Sequence, residues 1–355
     1  MPIVAHNQLP SFNRLRGEGV KVLAPDAALH QDIRELHIGL LNMMPDAALA
    51  ATERQFFRLI GESNPIAQIY VHPFTLSELP RSDKTQNHID EFYETFEQIK
   101  NLGLDGLIIT GANVIGAELS NQAFWQPLIE VADWAFENVT STLCSCLATH
   151  AVLEFRYAQK RQPQQQKKWG VFTHKITDQL HPLITDINTR FDVPHSRWNN
   201  VSRSQFETAG LKILAVGVDD ECVHLATSED GFRTIFFQGH PEYDTISLLK
   251  EYKREVLLYI EEQCEVYPPF PERYFDIKSS AILREYKSRL LFSIKNNNEL
   301  PAFPESLIVY NLDNTWHDTA GEVISNWVGL IYQLTHTDRK LPFMSGVDPQ
   351  NPLSL

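Results

Sequence analysis

The sequence has few cysteines, more acidic than basic residues, and no long apolar run. Four cysteines among 355 residues, at positions 144, 146, 222 and 264, are too few for a disulfide framework, and this scarcity favours a reducing compartment. Lys and Arg total 31 against 45 for Asp and Glu, and the net charge of −14 disfavours nucleic acid or an anionic membrane as the main partner. An anionic substrate therefore needs a local cluster of basic side chains.

Signals for a membrane or for export are also missing. No segment approaches the ~20 apolar residues that a bilayer-spanning helix needs, and the opening residues lack a basic stretch followed by an apolar core. We therefore expect a cytoplasmic protein without membrane contact. Hydrophobic residues still make up 43% of the chain, enough for a sizeable core in one large α/β domain or two smaller ones.

Motifs for metal and phosphate binding are absent. The sequence contains neither His-x-x-x-His nor Cys-x-x-Cys, and its thirteen scattered histidines are each interpreted as structural. Gly111 and Gly116 have the spacing of P-loop glycines, but Ala117 occupies the position where that motif requires lysine. We expect neither a metal nor a permanently bound cofactor.

Apolar runs and amphipathic stretches alternate through the first half of the chain. The run at 104–110 is continuously apolar, which is typical of a strand buried on both faces of a parallel sheet. The alternation predicts an α/β fold with a doubly wound, mostly parallel sheet flanked by helices, in which ligands bind at the carboxyl strand ends. Strands are predicted at 36–43, 65–71, 104–110 and 139–144, and helices at 47–60, 91–100 and 122–136.

The second half contains shorter strands and longer helices. A Gln-rich basic stretch at 158–168 is interpreted as a solvated loop. The short strands predict an antiparallel edge on the same sheet. These strands are predicted at 211–216, 223–226 and 233–238, with helices at 247–262 and 275–297 and a helical apolar stretch at 323–334.

The chain shows no internal repeat and no clean linker, so its division rests on pattern alone. Residues 1–35 are weakly patterned and are predicted to form an N-terminal arm. Residues 36–300 are assigned to the α/β domain. Residues 301–355 are predicted to form a C-terminal helical segment that packs on the core or contributes a dimer interface.

Cys146 stands where a predicted strand turns into a helix. The turn presents its side chain at the carboxyl end of the sheet, and the helix N-terminus favours a thiolate and later an oxyanion. Small neighbours, Ser145 and Ala148, leave room for the strained backbone of such an elbow. The alternative is that Cys146 merely fills the core, as most intracellular cysteines do and as we expect for Cys144.

A second stretch supports the catalytic interpretation. A predicted strand ends at Gly239, and His240 follows it. Pro241 favours extended backbone at His240, so Glu242 lies on the same face as the imidazole. Cys146, His240 and Glu242 would then provide a nucleophile, a base and an orienting carboxylate.

These motifs resemble the homoserine O-succinyltransferase family, which has a class I glutamine amidotransferase-like fold. The resemblance covers nearly the whole chain, in the family's order and close to its spacing. It is carried by Leu41-Asn-Met-Met-Pro45, Thr52-Glu-Arg-Gln55-Phe-Phe-Arg-Leu59, Asp105-Gly-Leu-Ile-Ile-Thr-Gly-Ala112, Thr140-Ser-Thr-Leu143, Pro194-His-Ser-Arg197 and Gly239-His-Pro-Glu-Tyr-Asp244.

The resemblance implies acyl transfer from an acyl-CoA to the hydroxyl of L-homoserine, by a homodimer, in methionine biosynthesis. Cys146 would carry the acyl group, His240 would act as the base, and Glu242 would orient it. The family's pattern further places an oxyanion hole at Leu147 and Ala112, substrate contacts at Lys167, Ser196 and Arg254, and acyl-donor choice at Ile115.

The chain departs from the family at two places. The segment Asp46–Thr52 is two residues longer than the common family pattern and has no lysine. Ile115 carries no charge that would repel the terminal carboxylate of a succinyl group, so we predict succinyl-CoA rather than acetyl-CoA as the donor.

Three alternatives stay open. One is transfer of an acetyl group to homoserine. Another is a glutamine amidotransferase or related hydrolase, which would share the Cys, His and Glu but usually has a Gly-rich elbow where this chain has Leu147 and Ala148. The last is a catalytically idle binding protein that has kept the fold.

Overall fold

The computed structural model describes residues 3–29, 33–63, 67–114, 116 and 118–355, and one sheet runs through them. Ile115, the predicted donor-specificity position, lies outside the described residues. The strands in the described part are β1 (Ile3–Val4), β2 (Val22–Leu23), β3 (Glu35–Leu41), β4 (Gln68–Phe74), β5 (Gly106–Ile109), β6 (Ser141–Ser145), β7 (Gln162–Ile176), β8 (Arg190–Asn200), β9 (Lys212–Gly217), β10 (Val223–Thr227) and β11 (Thr234–Phe237).

Helices cover both faces of this sheet. The long ones coincide with predicted amphipathic stretches. In the described part they are α1 (Pro10–Gly17), α2 (Pro25–Leu29), α3 (Asp46–Glu62), α4 (Asp83–Phe92), α5 (Phe96–Leu102), α6 (Trp125–Asn138), α7 (Leu147–Tyr157), α8 (Arg203–Thr208), α9 (Ser247–Ile260), α10 (Ile277–Lys295), α11 (Glu305–Ile308) and α12 (His317–Leu334).

The sheet order confirms the predicted doubly wound architecture. The strands lie in the order β2-β1-β4-β3-β5-β6-β11-β10-β9-β7-β8. From β2 to β11 all neighbours are parallel, and from β11 to β8 all are antiparallel, as predicted for the edge. Strands β6 and β11 are adjacent and parallel, so Cys146 and His240 both follow carboxyl ends at the centre of the sheet.

The central strands are buried on both faces. Successive side chains alternate between two apolar clusters: Ile108 belongs to one, and Leu107 and Ile109 belong to the other. All four residues of β5 are buried, which explains its uninterrupted apolar sequence.

The N-terminal segment contributes to the sheet. Ile3 pairs with Val22 on one side and with Ile69 on the other, so β1 lies between β2 and β4. Ile3, Phe12 and Leu15 are buried in the same apolar cluster as α3. This segment was predicted to be an arm that lies on the core. In the structure it supplies a strand of the sheet and side chains of the core. The three-part division of the chain stays a prediction.

Two predicted elements have different boundaries in the structure. The helix predicted at 91–100 is two helices, because Tyr93 adopts extended backbone and Thr95 caps α5 in a reciprocal pair with Gln98. The Gln-rich stretch predicted as a loop is largely strand, because β7 begins at Gln162 and pairs with β8. Its polar side chains are mostly exposed, so composition suggested a loop while the backbone hydrogen bonds of β8 decide the structure.

The C-terminal apolar stretch is helical as predicted, and its apolar face packs on the sheet. Trp327 and Ile331 of α12 are fully buried and lie against Gly106 of β5. The Trp327 indole N–H donates to the Ser141 hydroxyl at 2.9 Å. This face therefore belongs to the core, and a role of the C-terminal segment in a dimer interface stays a prediction. No helix in the described ranges is long and apolar enough to cross a membrane.

Candidate active site

The backbone at Cys146 forms the predicted elbow. Strand β6 ends at Ser145 and α7 begins at Leu147, and Cys146 between them has φ 52° and ψ −107°. A positive φ is unusual for a residue with a side chain and stores strain at this point. The Cys146 amide donates to the carbonyl oxygen of Phe237 at 2.7 Å, which ties the elbow to the end of β11.

A polar network holds the two strand ends together. The Thr149 hydroxyl donates to the Cys144 carbonyl oxygen at 2.8 Å or the Phe237 carbonyl oxygen at 2.9 Å. Gln238 bonds the backbone of Val201 through both ends of its amide, and its oxygen also lies 3.0 Å from His150 Nε2. The buried side-chain amide of Gln238 therefore fixes the position of Gln238 and Gly239, which connect β11 to His240.

His240 is placed by a close contact between β8 and the end of β11. The His240 amide donates to the Pro194 carbonyl oxygen at 2.8 Å. Gly239 makes this approach possible, because a Cβ there would lie 2.5 Å from Val193 Cγ1 and 2.9 Å from His195 Cε1. Both atoms belong to a packed interior that yields little.

We expect Gly239→Ala to lower turnover by about 10²-fold, because the added methyl group displaces His240 and a misplacement near 1 Å has that effect. Measurements of kcat and of the midpoint of thermal unfolding distinguish this loss of turnover from a loss of stability. Gly321→Ala is the control, since Gly321 lies inside α12 and a Cβ there meets no atom within 4 Å. It should leave turnover unchanged and should not lower the midpoint of thermal unfolding, because alanine favours a helix more than glycine does. If Gly239→Ala turned over at the parent rate, the contact with β8 would not be what positions His240.

The imidazole of His240 is oriented by Glu242 and by an aromatic ring. His240 Nδ1 lies 2.8 Å from Glu242 Oε1, and both side chains are buried. The Tyr243 ring stacks on the imidazole with centroids 4.3 Å apart and planes 18° apart. His240 Nε2 is buried and has no hydrogen-bond acceptor among the residues described, so it is available to a substrate or to Cys146.

Electrostatics favour a thiolate–imidazolium pair at this site. Burial by itself raises the pKa of the Cys146 thiol, but the positive charges of His240 and Arg197 outweigh it and hold that pKa below its usual value. Burial disfavours the charged form of His240, yet Cys146 and Glu242 raise the pKa of the imidazole well above its usual value. For Cys144 burial dominates, and it raises the pKa of that thiol to about 12 although the charge of Arg156 acts in the opposite direction.

The lowered pKa of Cys146 predicts that its thiolate forms at lower pH than that of an ordinary thiol. The rate of Cys146 alkylation by iodoacetamide should therefore rise with a midpoint below the usual range near pH 8.5, because the thiolate is the reactive form. In His240→Gln the midpoint should rise toward that usual range. Peptide mass spectrometry of the alkylated protein measures the rate at Cys146 alone, with the exposed Cys264 as the internal reference. A midpoint for Cys146 alkylation in the usual range near pH 8.5 in the parent protein would contradict the ion pair.

The predicted oxyanion-hole residues flank the thiol. Leu147 is the first residue of α7, so its N–H has no partner within the helix. The position of a Cβ on Gly111 would lie 3.5 Å from Cys146 Cβ and 3.8 Å from Leu147 N, which places the Gly111-Ala112 turn beside the thiol. Ala112, Cys146 and Leu147 line one pocket, together with Arg197. The pocket can accept a carbonyl oxygen that gains charge.

Lys167 and Ser196 meet at a half-buried carboxylate that the sequence pattern did not reveal, Glu251 of α9. The Ser196 hydroxyl donates to Glu251 Oε2 at 2.6 Å, and Lys167 Nζ lies 3.6 Å from the same oxygen. The Tyr243 hydroxyl donates to Glu251 Oε1 at 2.7 Å. Because Tyr243 stacks on His240, this cluster adjoins the triad. The available signal was an acid on the helical face marked by Leu248 and Tyr252.

Arg254 differs from the other predicted substrate contacts because its side chain is half-exposed. Its Nη2 donates to Glu255 at 3.1 Å. Burial lowers the pKa of Lys167, the carboxylates Glu251 and Glu255 raise it, and the charge of Arg254 lowers it further, so Arg254 lies within electrostatic reach of Lys167. The predicted contacts Lys167, Ser196 and Arg254 therefore occupy one region, with Arg254 at its solvent side.

Comparison with known proteins decides the family. The sequence pattern of the family described as "HTS: Homoserine O-succinyltransferase" matches residues 2–337. This chain belongs to the homoserine O-succinyltransferase family. It is 64% identical over 355 residues to the homoserine O-succinyltransferase of Thiobacillus denitrificans, with all of both chains covered. It is 61% identical to that of Allochromatium vinosum, covering 100% of this chain and 99% of the relative.

Solved structures similar to this member of the homoserine O-succinyltransferase family include a glutamine amidotransferase from Thermotoga maritima. The two sequences are 8% identical. Their structural alignment covers 84% of this chain and 98% of the other, with a TM-score of 0.45. The family assignment rests on the sequence relatives, and it confirms the resemblance on which the site residues were predicted.

Proposed function

We propose that this chain transfers a succinyl group from succinyl-CoA to the hydroxyl of L-homoserine through a thioester on Cys146. The observation that supports the proposal most directly is the joint position of Cys146, His240 and Glu242 at two adjacent strand ends. The full-length identity to proteins named homoserine O-succinyltransferase supports the same activity.

In the proposed first step, the Cys146 thiolate attacks the thioester carbonyl of succinyl-CoA. The oxygen gains negative charge and accepts hydrogen bonds from the Leu147 and Ala112 amides. The bond to the CoA sulfur then breaks, and the leaving thiolate takes the proton from His240 Nε2. This leaves succinyl-Cys146, neutral His240 and free CoA.

In the proposed second step, His240 Nε2 takes the proton of the homoserine hydroxyl as that oxygen attacks the succinyl thioester. The bond to Cys146 breaks, which gives O-succinyl-L-homoserine and the thiolate–imidazolium pair. Glu242 keeps the imidazole in the required tautomer and stabilises its positive charge in both steps. Water must be kept from the thioester, and the burial of His240 and Glu242 favours this.

Homoserine carries an ammonium and a carboxylate, so it needs both signs of charge near the hydroxyl-binding point. The half-buried Glu251 is suited to the ammonium, and Arg254 beside Lys167 is suited to the carboxylate. Arg254 pairs with Glu255 at 3.1 Å and its side chain is 47% exposed, so it can reorient toward a bound carboxylate.

We expect Arg254→Ala to raise the KM for homoserine by about 10- to 100-fold while acylation of Cys146 keeps its rate. The reason is that a lost charge-assisted hydrogen bond, worth about 1.5–3 kcal/mol, affects only the step that uses the acceptor. Steady-state kinetics measure the KM for homoserine, and rapid-quench experiments measure the rate of Cys146 acylation separately. Arg289→Ala, an exposed arginine on α10, is the control. Slow acylation in Arg254→Ala would assign the residue to the donor or to the fold.

The function is tested by comparing donors and acceptors on the purified protein. We expect a higher kcat/KM for succinyl-CoA than for acetyl-CoA with L-homoserine, and Ile115→Glu should reduce succinyl use more than acetyl use, because like charges repel. A preference for acetyl-CoA would assign an O-acetyltransferase. Release of ammonia from glutamine at a higher kcat/KM would assign a glutamine amidotransferase.

We further propose, from the resemblance, that the protein is a cytoplasmic homodimer that acts in methionine biosynthesis.

A further inference from the structure

Three metal-ligating side chains meet near the β2 edge of the sheet, several strands away from Cys146 and His240. His6 follows β1, His72 lies on β4, and Glu94 lies between α4 and α5. One donor atom from each residue lies within 4.8 Å of the other two. His72 is buried, and the other two are half-buried. These residues come from three separate segments, and neither the proposed reaction nor the apolar core explains why they meet.

The nitrogens of this cluster have defined directions. His72 Nδ1 lies 2.7 Å from Glu94 Oε1. His6 Nδ1 lies 3.3 Å from the Val4 carbonyl oxygen, and its other nitrogen, Nε2, is buried with no hydrogen-bond partner in the described part of the chain. The ring centroids of His6 and His72 are 4.8 Å apart. A buried nitrogen without a partner is costly, and a cation among these groups would satisfy it.

A chain of second contacts supports His72 as a ligand. His72 Nε2 lies 2.9 Å from His37 Nδ1, and His37 Nε2 lies 3.5 Å from Glu35 Oε2. Metal-bound histidines usually pass their second ring hydrogen to such a group, which fixes the tautomer. With Nδ1 of His72 on a metal, its Nε2–H donates to His37, and the Nε2–H of His37 points toward the Glu35 carboxylate.

We propose that His6, His72 and Glu94 form a binding site for a divalent transition-metal cation such as Zn²⁺. Two imidazoles and a carboxylate form the donor set that zinc accepts with a fourth position left open, whereas Mg²⁺ and Ca²⁺ prefer oxygen alone. Tetrahedral bonds of about 2.0–2.2 Å place neighbouring donor atoms about 3.3–3.6 Å apart. The widest separation, within 4.8 Å, would therefore have to close, and the 2.7 Å between His72 Nδ1 and Glu94 Oε1 would have to open. The metal would fasten the N-terminal strand to β4 and to the connection between α4 and α5. Sequence spacing does not reveal this site, because its ligands are 66 and 22 residues apart.

The binding test uses Co²⁺ on chelator-treated, full-length protein, because tetrahedral Co²⁺ absorbs visible light. The Cys146→Ala variant is used throughout, so that the thiol and His240 cannot supply a second site. We expect one equivalent of Co²⁺ to bind and Zn²⁺ to displace it. His6→Gln and Glu94→Gln should each weaken binding by at least about 100-fold, and Glu35→Gln by about 10-fold. His317→Gln, an exposed histidine beside Glu62, is the control and should bind like the parent.

A second readout does not depend on the spectrum. Zn²⁺ should raise the midpoint of thermal unfolding of the Cys146→Ala protein, since a ligand that binds only the folded state stabilises it. The increase should vanish in His6→Gln and persist in His317→Gln. Absence of stoichiometric Co²⁺ binding would overturn the proposal, as would equal binding by His6→Gln, Glu94→Gln and the parent.

Discussion

The intact protein should gain the mass of one succinyl group when it is incubated with succinyl-CoA and no acceptor, and Cys146→Ala should gain none. Turnover should fall by at least about 10⁴-fold in Cys146→Ala, as expected when the nucleophile of a covalent mechanism is removed. The reason is specific to this thiol. It stands at a strained elbow beside His240, its pKa is lowered, and the first N–H of α7, which has no partner within the helix, follows it. Intact-mass and peptide mass spectrometry measure the adduct and its position.

Cys144 provides the matched control for that experiment. It is two residues away but fully buried in the apolar cluster between β6 and α7, and burial raises the pKa of its thiol to about 12. Cys144→Ala should therefore keep the adduct, even if its smaller side chain lowers stability. An adduct on Cys144, or one that survives in Cys146→Ala, would show that the nucleophile lies elsewhere and would remove the basis of the proposed mechanism.

The second large effect is expected for Glu242→Gln, which should slow turnover by about 10²–10⁴-fold with little change in donor binding. Glu242 accepts the hydrogen bond of His240 Nδ1 at 2.8 Å and raises the pKa of the imidazole. Glutamine keeps the shape but loses the charge, so the imidazolium formed in each step is less stable and the ring can adopt the wrong tautomer. Measurements of kcat and of the burst of acyl-enzyme separate this effect from binding.

Glu261→Gln serves as the control because Glu261 is an exposed carboxylate just beyond the end of α9. It should leave kcat unchanged. If Glu242→Gln turned over at the parent rate, Glu242 would have only a structural role, and stacking on Tyr243 would be left to orient His240.

Local pattern identified the elements that carry the chemistry. The continuous apolar run before Thr110, the β-branched run before Cys146 and the Gly239-His-Pro-Glu stretch each contain their own signal, because burial on two faces and extended backbone before proline are written in neighbouring residues. The structure confirms that Cys146 and His240 follow adjacent parallel strands. The roles of these residues, and those of Lys167, Ser196 and Arg254, stay predictions.

Other features depend on partners that are distant in sequence. The strand β7 exists because β8 supplies its hydrogen bonds, although its first half is Gln-rich and exposed. Glu251 becomes a shared acceptor only where Ser196, Lys167 and Tyr243 converge on it. The spacing of Leu248 and Tyr252 places Glu251 on the inward face of α9, but it does not show which side chains from other elements meet it there.

The sequence by itself determined the fold class, the elbow at Cys146 and the pairing of His240 with Glu242, because each depends on residues within a few positions of one another. Only the tertiary structure decided which groups share an environment. It brought Gly239 against Val193, moved the apolar face of α12 into the core, and gathered His6, His72 and Glu94 at one edge. The physical reason is that pKa values, close packing and metal coordination depend on distances in space, and the order of strands in the sheet sets those distances.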